Sequence, residues 1–499
     1  MKYFLLTGAT GLLGRYLLRD LTMAGVPLAV VARPTRFESA RQRVETAMAF
    51  WERQLDRTLV RPVVLEGDIS EPGLDLATED RQWVARRCGA MIHSAASLTF
   101  QADSPSGEPW RSNVEGTRHV IELCDQAGIR RMHHVSTAYV CGLRRGRILE
   151  TELDVGQQLG NDYEESKVTA EKEVLAAGAF DEVTVYRPSI IVGDSQTGFT
   201  TSYHGFYTPL RLVYSLLQSI SWETILARDW LGQLQLDGHE RKNLVSVEWV
   251  SAAMTHLVTH AECHGRTYHL TNQRPATALA MREAMTEVLA ERVRANKIPR
   301  ATAAQDDFLA AFRDQMGVYR SYWSDDPEFD STNTQRAIPD LPSPEIDHAV
   351  MARLVRFAIE ANFGWPRELP IIPEFDAGNQ LDMKKAASWS PASAPGRAVI
   401  VNLSVTGTGG GQWHLSTHSG RTFEVNPGLA DEAVVTCYLA TPTFSDLVRG
   451  NLALEDAIHS GRLVVAGSSL HEYELARLFV DLGSDEQTPL KTPQSAMIG

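Results

Sequence analysis

Tyr163 and Lys167 stand four residues apart in Asn161-Asp162-Tyr163-Glu164-Glu165-Ser166-Lys167, inside a stretch with helical patterning. That spacing puts both side chains on one helix face. A free tyrosine ionises near pH 10 and moves protons poorly at neutrality, but a neighbouring ammonium stabilises the phenolate. By itself the pair reads equally well as an exposed helix pair. Ser136 and Thr137 add weight, because they sit in Ser136-Thr137-Ala138-Tyr139 at the end of an expected strand. A hydroxyl there can hydrogen-bond a carbonyl oxygen undergoing reaction. Near the N-terminus, Thr7-Gly8-Ala9-Thr10-Gly11-Leu12-Leu13-Gly14 follows a short apolar run and opens an amphipathic one. There Gly8 allows a tight turn, Gly11 lets a pyrophosphate approach the backbone and Gly14 allows close helix packing. Together with Thr10 and Leu12 these glycines are expected to bind a dinucleotide. Glycine turn, strand-end hydroxyl and Tyr/Lys pair occur in an order that makes the set far more specific than any part.

The elements that must hold these groups are visible as alternation. Short apolar runs at 3–6, 28–32, 63–65, 90–93, 132–135 and 183–186 are separated by helix-like segments at 12–24, 80–87, 113–127 and 162–176. Strands alternating with helices of that length predict a Rossmann-type, doubly wound parallel sheet of the α/β class. From about 200 to 365 the pattern turns mainly helical, clearest at 211–217, 247–258 and 278–294, as expected of a substrate-side region. At 384–397 small residues and two prolines replace the periodicity, the mark of a linker. Strand patterns at 398–405, 413–416 and 433–439 and helical ones at 443–449, 454–459 and 470–480 then predict a small α+β domain over 398–499. Residues 1–383 form the expected first domain, with its cofactor part up to about 200.

The second strand ends at Ala32-Arg33 without the acidic residue that would accept ribose hydroxyls. Arg33, helped by Arg36, offers a planar fork to a 2′-phosphate instead, so NADPH is the expected cofactor. Solvated surface arginines are the bland alternative. Asp68, after the third strand, could accept from the adenine amino group, or serve only its turn.

Composition bounds the rest. The chain has 499 residues, 43% hydrophobic and 22% charged, with a net charge of −14, which disfavours nucleic acid as a partner. Five scattered cysteines suggest neither a disulfide framework nor a thiolate metal site, and no apolar run is long enough for a transmembrane segment. A cytoplasmic setting is expected. His256, His260, Cys263 and His264 mimic metal-ligand spacing, but no metal is expected, since Leu257 stands where a zinc HExxH motif needs glutamate.

TGATGLLG, HSAAS at 93–97, NVEGT at 113–117, VSTAYV at 135–140, YEESK and YRPSIIVGDSQTG at 186–198 resemble the successive signatures of extended short-chain dehydrogenases/reductases. HSAAS, STAYV and RPSIIVGDSQTG more narrowly resemble fatty acyl-CoA reductases and thioester reductase domains of peptide and polyketide synthases. The resemblance covers about residues 1–270. It implies Thr137 as the catalytic hydroxyl, with Ser136 second, completed by Tyr163 and Lys167. It also implies that Ala95 and Ala96 line the cofactor, that Asn113 supports the site and that Arg187, Pro188 and Ser189 border the nicotinamide. The implied activity is NADPH-dependent reduction of an acyl group on CoA or an acyl carrier protein to an aldehyde and, with a second hydride, an alcohol. The same triad also serves dehydrogenases of sterol-like alcohols and sugar-nucleotide epimerases or dehydratases. Near the C-terminus, GTGGGQWHL at 407–415, TFSDL at 443–447 and SGRLVVAG at 460–467 resemble sterol-carrier-protein-type domains. That implies a hydrophobic ligand held there, or a domain that only packs. A lipid-binding protein whose first domain merely senses a cofactor is the alternative of another class.

Overall fold

The computed structural model describes residues 2–217, 222, 230–233, 236–295, 324–364, 373–386, 399–418, 421–467 and 472–483. Its chain divides into two compact units, Lys2–Arg41 with Val64–Leu369 and Gln42–Val63 with Pro370–Gly499. The boundary thus falls ahead of the expected linker, and an internal stretch of the first domain goes with the C-terminal unit. Residues 387–397 of the expected linker lie outside the described residues, while 384–386 close the helix Ala377–Ala386.

The larger unit is organised by seven strands: β1 (Tyr3–Thr7), β2 (Leu28–Ala32), β3 (Val63–Glu66), β4 (Cys88–His93), β5 (Arg131–Val135), β6 (Glu182–Pro188) and β7 (Thr267–Leu270). They lie in the order β7-β6-β5-β4-β1-β2-β3. β1 pairs in parallel with both β2 and β4, and β4-β5, β5-β6 and β6-β7 continue the parallel register. Every residue of β2 is buried, as a sheet covered on both faces requires. The unit's longer helices are α1 (Leu12–Met23), α3 (Thr78–Arg87), α4 (Gly116–Ala127), α5 (Asp162–Ala176), α6 (Tyr207–Leu216), α7 (Val247–Thr259), α8 (Ala278–Arg294) and α9 (His348–Glu360), while α2 (Ala40–Leu55), which follows β2, falls almost wholly in the stretch that goes with the other unit. α1 packs with α7, and α3, α4 and α5 pack in succession. The strand order reverses between β1 and β4, which opens a crevice at the carboxyl ends of the strands. Beyond β6, α6, α8 and α9 share an apolar core that includes Phe206, Leu210, Met285, Leu289 and Leu354.

The smaller unit contains β8 (Val399–Thr406), β9 (Gly411–His418), β10 (Arg421–Pro427), β11 (Val435–Ala440) and β12 (Leu463–Gly467), ordered β10-β9-β8-β11-β12. β8 pairs antiparallel with β9 and parallel with β11. The helices Ala377–Ala386, Thr441–Val448, Leu454–His459 and Glu472–Gly483 belong to the same unit, so the expected α+β class is observed. Within it the Gln42–Val63 excursion meets the start of the β8-β9 turn: Thr58 Oγ1 donates to Thr406 Oγ1 at 3.4 Å and Gly407 N to Leu59 O at 3.5 Å. Arg61, 4% exposed at its side chain, is held between Glu45 at 2.7 Å and Glu52 at 2.6 Å.

Candidate active site

Packing and polarity together shape the crevice. Gly8 has φ +78°, and a Cβ there would stand 2.7 Å from Ala95 N; a Cβ on Gly14 would stand 1.9 Å from Gly8 O. Both positions therefore demand glycine, one for its backbone and one for close approach. Gly11 closes the turn through Gly11 N donating to Gly8 O at 2.9 Å and starts α1 without a side-chain cap. Uncapped N–H groups at a helix start are an anion cradle. The turn fits a dinucleotide pyrophosphate.

From this turn a cavity of about 370 Å³ runs along the strand ends, lined by Gly8, Gly11, Leu12, Gly14, Ala96, Ser136, Thr137, Tyr163, Lys167, Pro188 and Ser189 among others. The structure thus gathers most of the residues singled out from sequence. α5 is started by Asn161, whose Oδ1 accepts from Glu164 N at 2.9 Å, while Glu164 Oε2 accepts from Gly160 N at 2.7 Å. This reciprocal cap fixes the first turn and with it Tyr163. The Phe100 ring lies 5.6 Å from that of Tyr163. Burial pushes the Tyr163 phenol up to about 12, while the nearby Thr137 hydroxyl draws it back down and the Glu164 charge adds to the rise. Lys167 is not among the groups that shift it, contrary to the expected lowering. The reason is geometric: Lys167 Nζ donates to Val135 O at 2.7 Å. Burial lowers Lys167 to about 8, opposed by Glu171.

Asn113 ties the loop after β4 to α5. Its Oδ1 accepts from Ser97 N at 2.8 Å, and its Nδ2 donates to Ser97 O at 3.1 Å and Ser166 Oγ at 2.9 Å. Behind Lys167 lies His93, whose Nε2 meets Thr117 Oγ1 at 3.1 Å and whose Nδ1 meets Thr7 Oγ1 at 2.8 Å. Because Thr117 Oγ1 donates to Asn113 O at 2.6 Å, it accepts from His93 Nε2, which leaves Nδ1 as the acceptor. Burial, then the Lys167 charge, lowers His93 to about 3, so the ring is neutral. The Ser136 hydroxyl is buried against the cavity and has no hydrogen-bond partner among the described residues. A group entering the cavity would supply one.

Other expected residues lie elsewhere. Arg187 does not line the cavity: buried, it donates from Nη2 to Glu171 Oε1 at 2.5 Å and from Nη1 to Glu152 O at 2.7 Å. Successive strand residues face opposite sides, so Arg187 turns to α5 while its neighbour Pro188 lines the cavity. Its expected place at the nicotinamide is corrected to a support beneath α5. Arg33 follows β2 and is 60% exposed, its Nη1 3.4 Å from Asp68 Oδ2. Burial opposes ionisation of Asp68, but bonds from the Ser70 hydroxyl and amide and the Arg33 charge outweigh it and lower its value. Arg36 is exposed, its guanidinium 5.6 Å from the Phe37 ring. Thr10 and Ala95 flank the lining without belonging to it. Sequence reasoning missed Leu98, Phe100, Tyr139, Ile190, Thr201 and His204, which complete the wall; only Tyr139 and Ile190 fell within quoted motifs.

Residues 6–254 match the family model described as male sterility protein, an NAD-binding family. The terminal R domain of the myxalamid PKS-NRPS pathway superposes with a TM-score of 0.57 at 25% identity, covering 74% of this chain and 93% of that one. The family match takes in 249 of the 499 residues, just under half of the chain, and the matched region resembles the extended short-chain dehydrogenases/reductases. Its cofactor is a nicotinamide dinucleotide. The chain is also 27% identical over 331 residues to a glycine betaine reductase of Emericella nidulans, matching 63% of this chain and 24% of that protein. To the fatty acyl-CoA reductase wat of Drosophila melanogaster it is 23% identical over 252 residues, 43% of this chain and 48% of that one. The chain thus spans less than half the length of these curated relatives. A thiolation-reductase di-domain from an archaeal non-ribosomal peptide synthetase shares the fold, with a TM-score of 0.53 at 17% identity over 72% of this chain and 76% of that one. Among the described residues no helix is long and apolar enough to cross a membrane.

Proposed function

We propose that the reductase acts on an acyl group held as a thioester by CoA or an acyl carrier protein, uses NADPH, and releases an aldehyde. The observation that carries this is the pair of hydroxyls, Thr137 and Tyr163, lining the cavity beside the glycine turn together with the buried Lys167. When bound, the nicotinamide supplies hydride to the thioester carbonyl carbon. Thr137 and Tyr163 donate hydrogen bonds to the carbonyl oxygen as negative charge gathers there. A phenol held near 12 keeps its proton at neutral pH, so Tyr163 can deliver it to that oxygen. Lys167, anchored on Val135 O, supplies the local positive charge. The resulting hemithioacetal expels its thiol as the aldehyde forms. The unpartnered Ser136 hydroxyl is a further donor available beside Thr137 and Tyr163.

Likeness to reductase domains of peptide synthases supports a carrier-bound substrate. Arg33 at the end of β2 supports NADPH, its guanidinium meeting the 2′-phosphate with Arg36 alongside. Five buried, unpaired cysteines support a cytoplasmic setting. For the C-terminal unit we infer a sterol-carrier-protein-like fold that takes a hydrophobic ligand. Its support is an apolar interior built around Leu403, Phe444 and Phe479. The test is to incubate the full chain with butyryl-CoA and octanoyl-pantetheine and follow nicotinamide oxidation, free thiol and aldehyde together. One thiol and one aldehyde per nicotinamide oxidised is expected. Oxidation of a sterol-like alcohol with no thiol released from any thioester would replace this function with the alcohol dehydrogenase alternative.

A further inference from the structure

Beside the main cavity lies a second chamber of about 300 Å³. The two share Thr201, Ser202 and His204, so one wall serves both. Thr208 and Arg211, from α6, and Phe363 help to close the far side. Among the described residues no carboxylate lines this chamber, and Arg211 is exposed at its rim. Thr201 is 9% exposed and its Oγ1 is buried with no hydrogen-bond partner among the described residues. Tyr203, another polar side chain of the chamber, is already tied down, its hydroxyl donating to Gly364 O at 3.2 Å. Burial, then the Arg211 charge, lowers His204, which is therefore neutral near pH 7 and leaves Arg211 as the cation.

A thioester carbonyl held at Thr137 and Tyr163 has two substituents, and the chamber adjoins the cavity in which they lie. An alkyl tail would leave the buried Thr201 hydroxyl unpaired, whereas an oxyanion gives that hydroxyl an acceptor and the solvent-exposed Arg211 guanidinium a charged partner. We propose that the side chamber is a subsite for an oxyanion carried by the substrate away from its reacting carbonyl, bound by Arg211 and Thr201. The subsite rests on the thioester reduction proposed above. The oxyanion is either a phosphate on the thiol arm or a carboxylate at the end of the acyl group; both offer the same chemistry to a guanidinium.

Three thioesters separate the sources: butyryl-pantetheine, which is neutral; butyryl-4′-phosphopantetheine; and glutaryl-pantetheine. The readout is the ratio of kcat/KM for each charged thioester to that for the neutral one. Replacing a charged hydrogen bond by a neutral one in Arg211→Gln should lower one of these ratios roughly ten- to hundredfold. Arg211→Lys should keep most of it, and Thr201→Val should lower it less. A fall confined to the phosphopantetheine ratio assigns the subsite to the thiol arm, and one confined to the glutaryl ratio to the acyl end. Both ratios unchanged in Arg211→Gln overturns the subsite. If no thioester is turned over at all, the proposed reaction fails instead, and the subsite is then decided by calorimetric binding of 4′-phosphopantetheine and glutarate. Binding that weakens in Arg211→Gln supports it; absent or unaltered binding overturns it.

Discussion

The apolar core beside the five-stranded sheet and the centre of the seven-stranded one are built on different principles. In the smaller unit, Val401, Leu403, Leu415, Leu447 and Phe479 make a core from hydrocarbon and aromatic rings. In the larger unit the centre of the sheet and the helix beside it bury His93, His133, His134, Lys167, Glu171 and Arg187. Burying such groups is costly unless they are bonded or neutral, and burial accordingly keeps His93, His133 and His134 deprotonated. A fold that needed only stability would have no reason to keep these groups there. The contrast teaches that the larger unit gives up packing freedom to hold one lysine and two hydroxyls at fixed places, while the smaller one does not.

The largest expected effect is chemical. Tyr163→Phe removes the proton donor with almost no change of volume, so kcat/KM on a thioester should fall roughly 10²- to 10⁴-fold while the thermal midpoint hardly moves. Retention of most activity would break the comparison, because the polar interior would then have nothing to serve. Next comes stability. Arg187→Met strands Glu171 as an uncompensated buried charge and should cost about 3–5 kcal/mol in denaturant unfolding. The double variant Arg187→Met, Glu171→Leu should recover much of that loss. In the smaller unit Leu403→Ala should cost about 2–5 kcal/mol through its cavity, with no second substitution of a charged partner able to restore it. A recovery absent in the first case would mean that the ion pair does more than fill space.

Cofactor choice follows. Arg33→Ala should lower the ratio of kcat/KM for NADPH over NADH by about tenfold or more, as loss of a charged hydrogen bond implies. An unchanged ratio would return Arg33 to its surface pair with Asp68. The smallest effect is in pH. Lys167 is protonated below its lowered value of about 8 and loses its charge above it, so activity should decline on the alkaline side. Roughly a quarter of the plateau should remain at pH 8.5 if the charge is required, by simple titration. Lys167→Arg, which keeps its charge throughout, should flatten that decline, and an unmoved alkaline limb would assign the titration elsewhere.

Much of the larger unit was legible because its strands are short apolar runs set between helices, and because Gly8, Gly14, Tyr163 and Lys167 have spacing rules of their own. β7 and β10 were not: the runs Thr267–Leu270 and Arg421–Pro427 carry too many polar residues to stand out from loops. α2 and α9 were passed over in the same way, although both carry an amphipathic helical pattern. Within the site, the sequence could not tell which side of β6 Arg187 faces, since period-two alternation needs a register. Nor could it show that Arg33 and Asp68, 35 residues apart along the chain, meet at the ends of neighbouring strands. The wall formed by Leu98, Phe100 and Thr201 comes from loops, where no periodicity marks what faces inward.

The excursion Gln42–Val63 leaves the larger unit after β2 and returns at β3, yet its own contacts lie with Pro370–Gly499. During synthesis on the ribosome it emerges early, while its partners are made last, tens of seconds later at about 5–20 residues per second. Until then Leu59, whose carbonyl accepts from Gly407 N in the finished protein, lacks that partner. The C-terminal unit is therefore no bead that gene fusion could simply append or recombination lift off. A lineage that lost it would have to rebuild the stretch between β2 and β3 as well, so the two segments should be gained, lost and redesigned together.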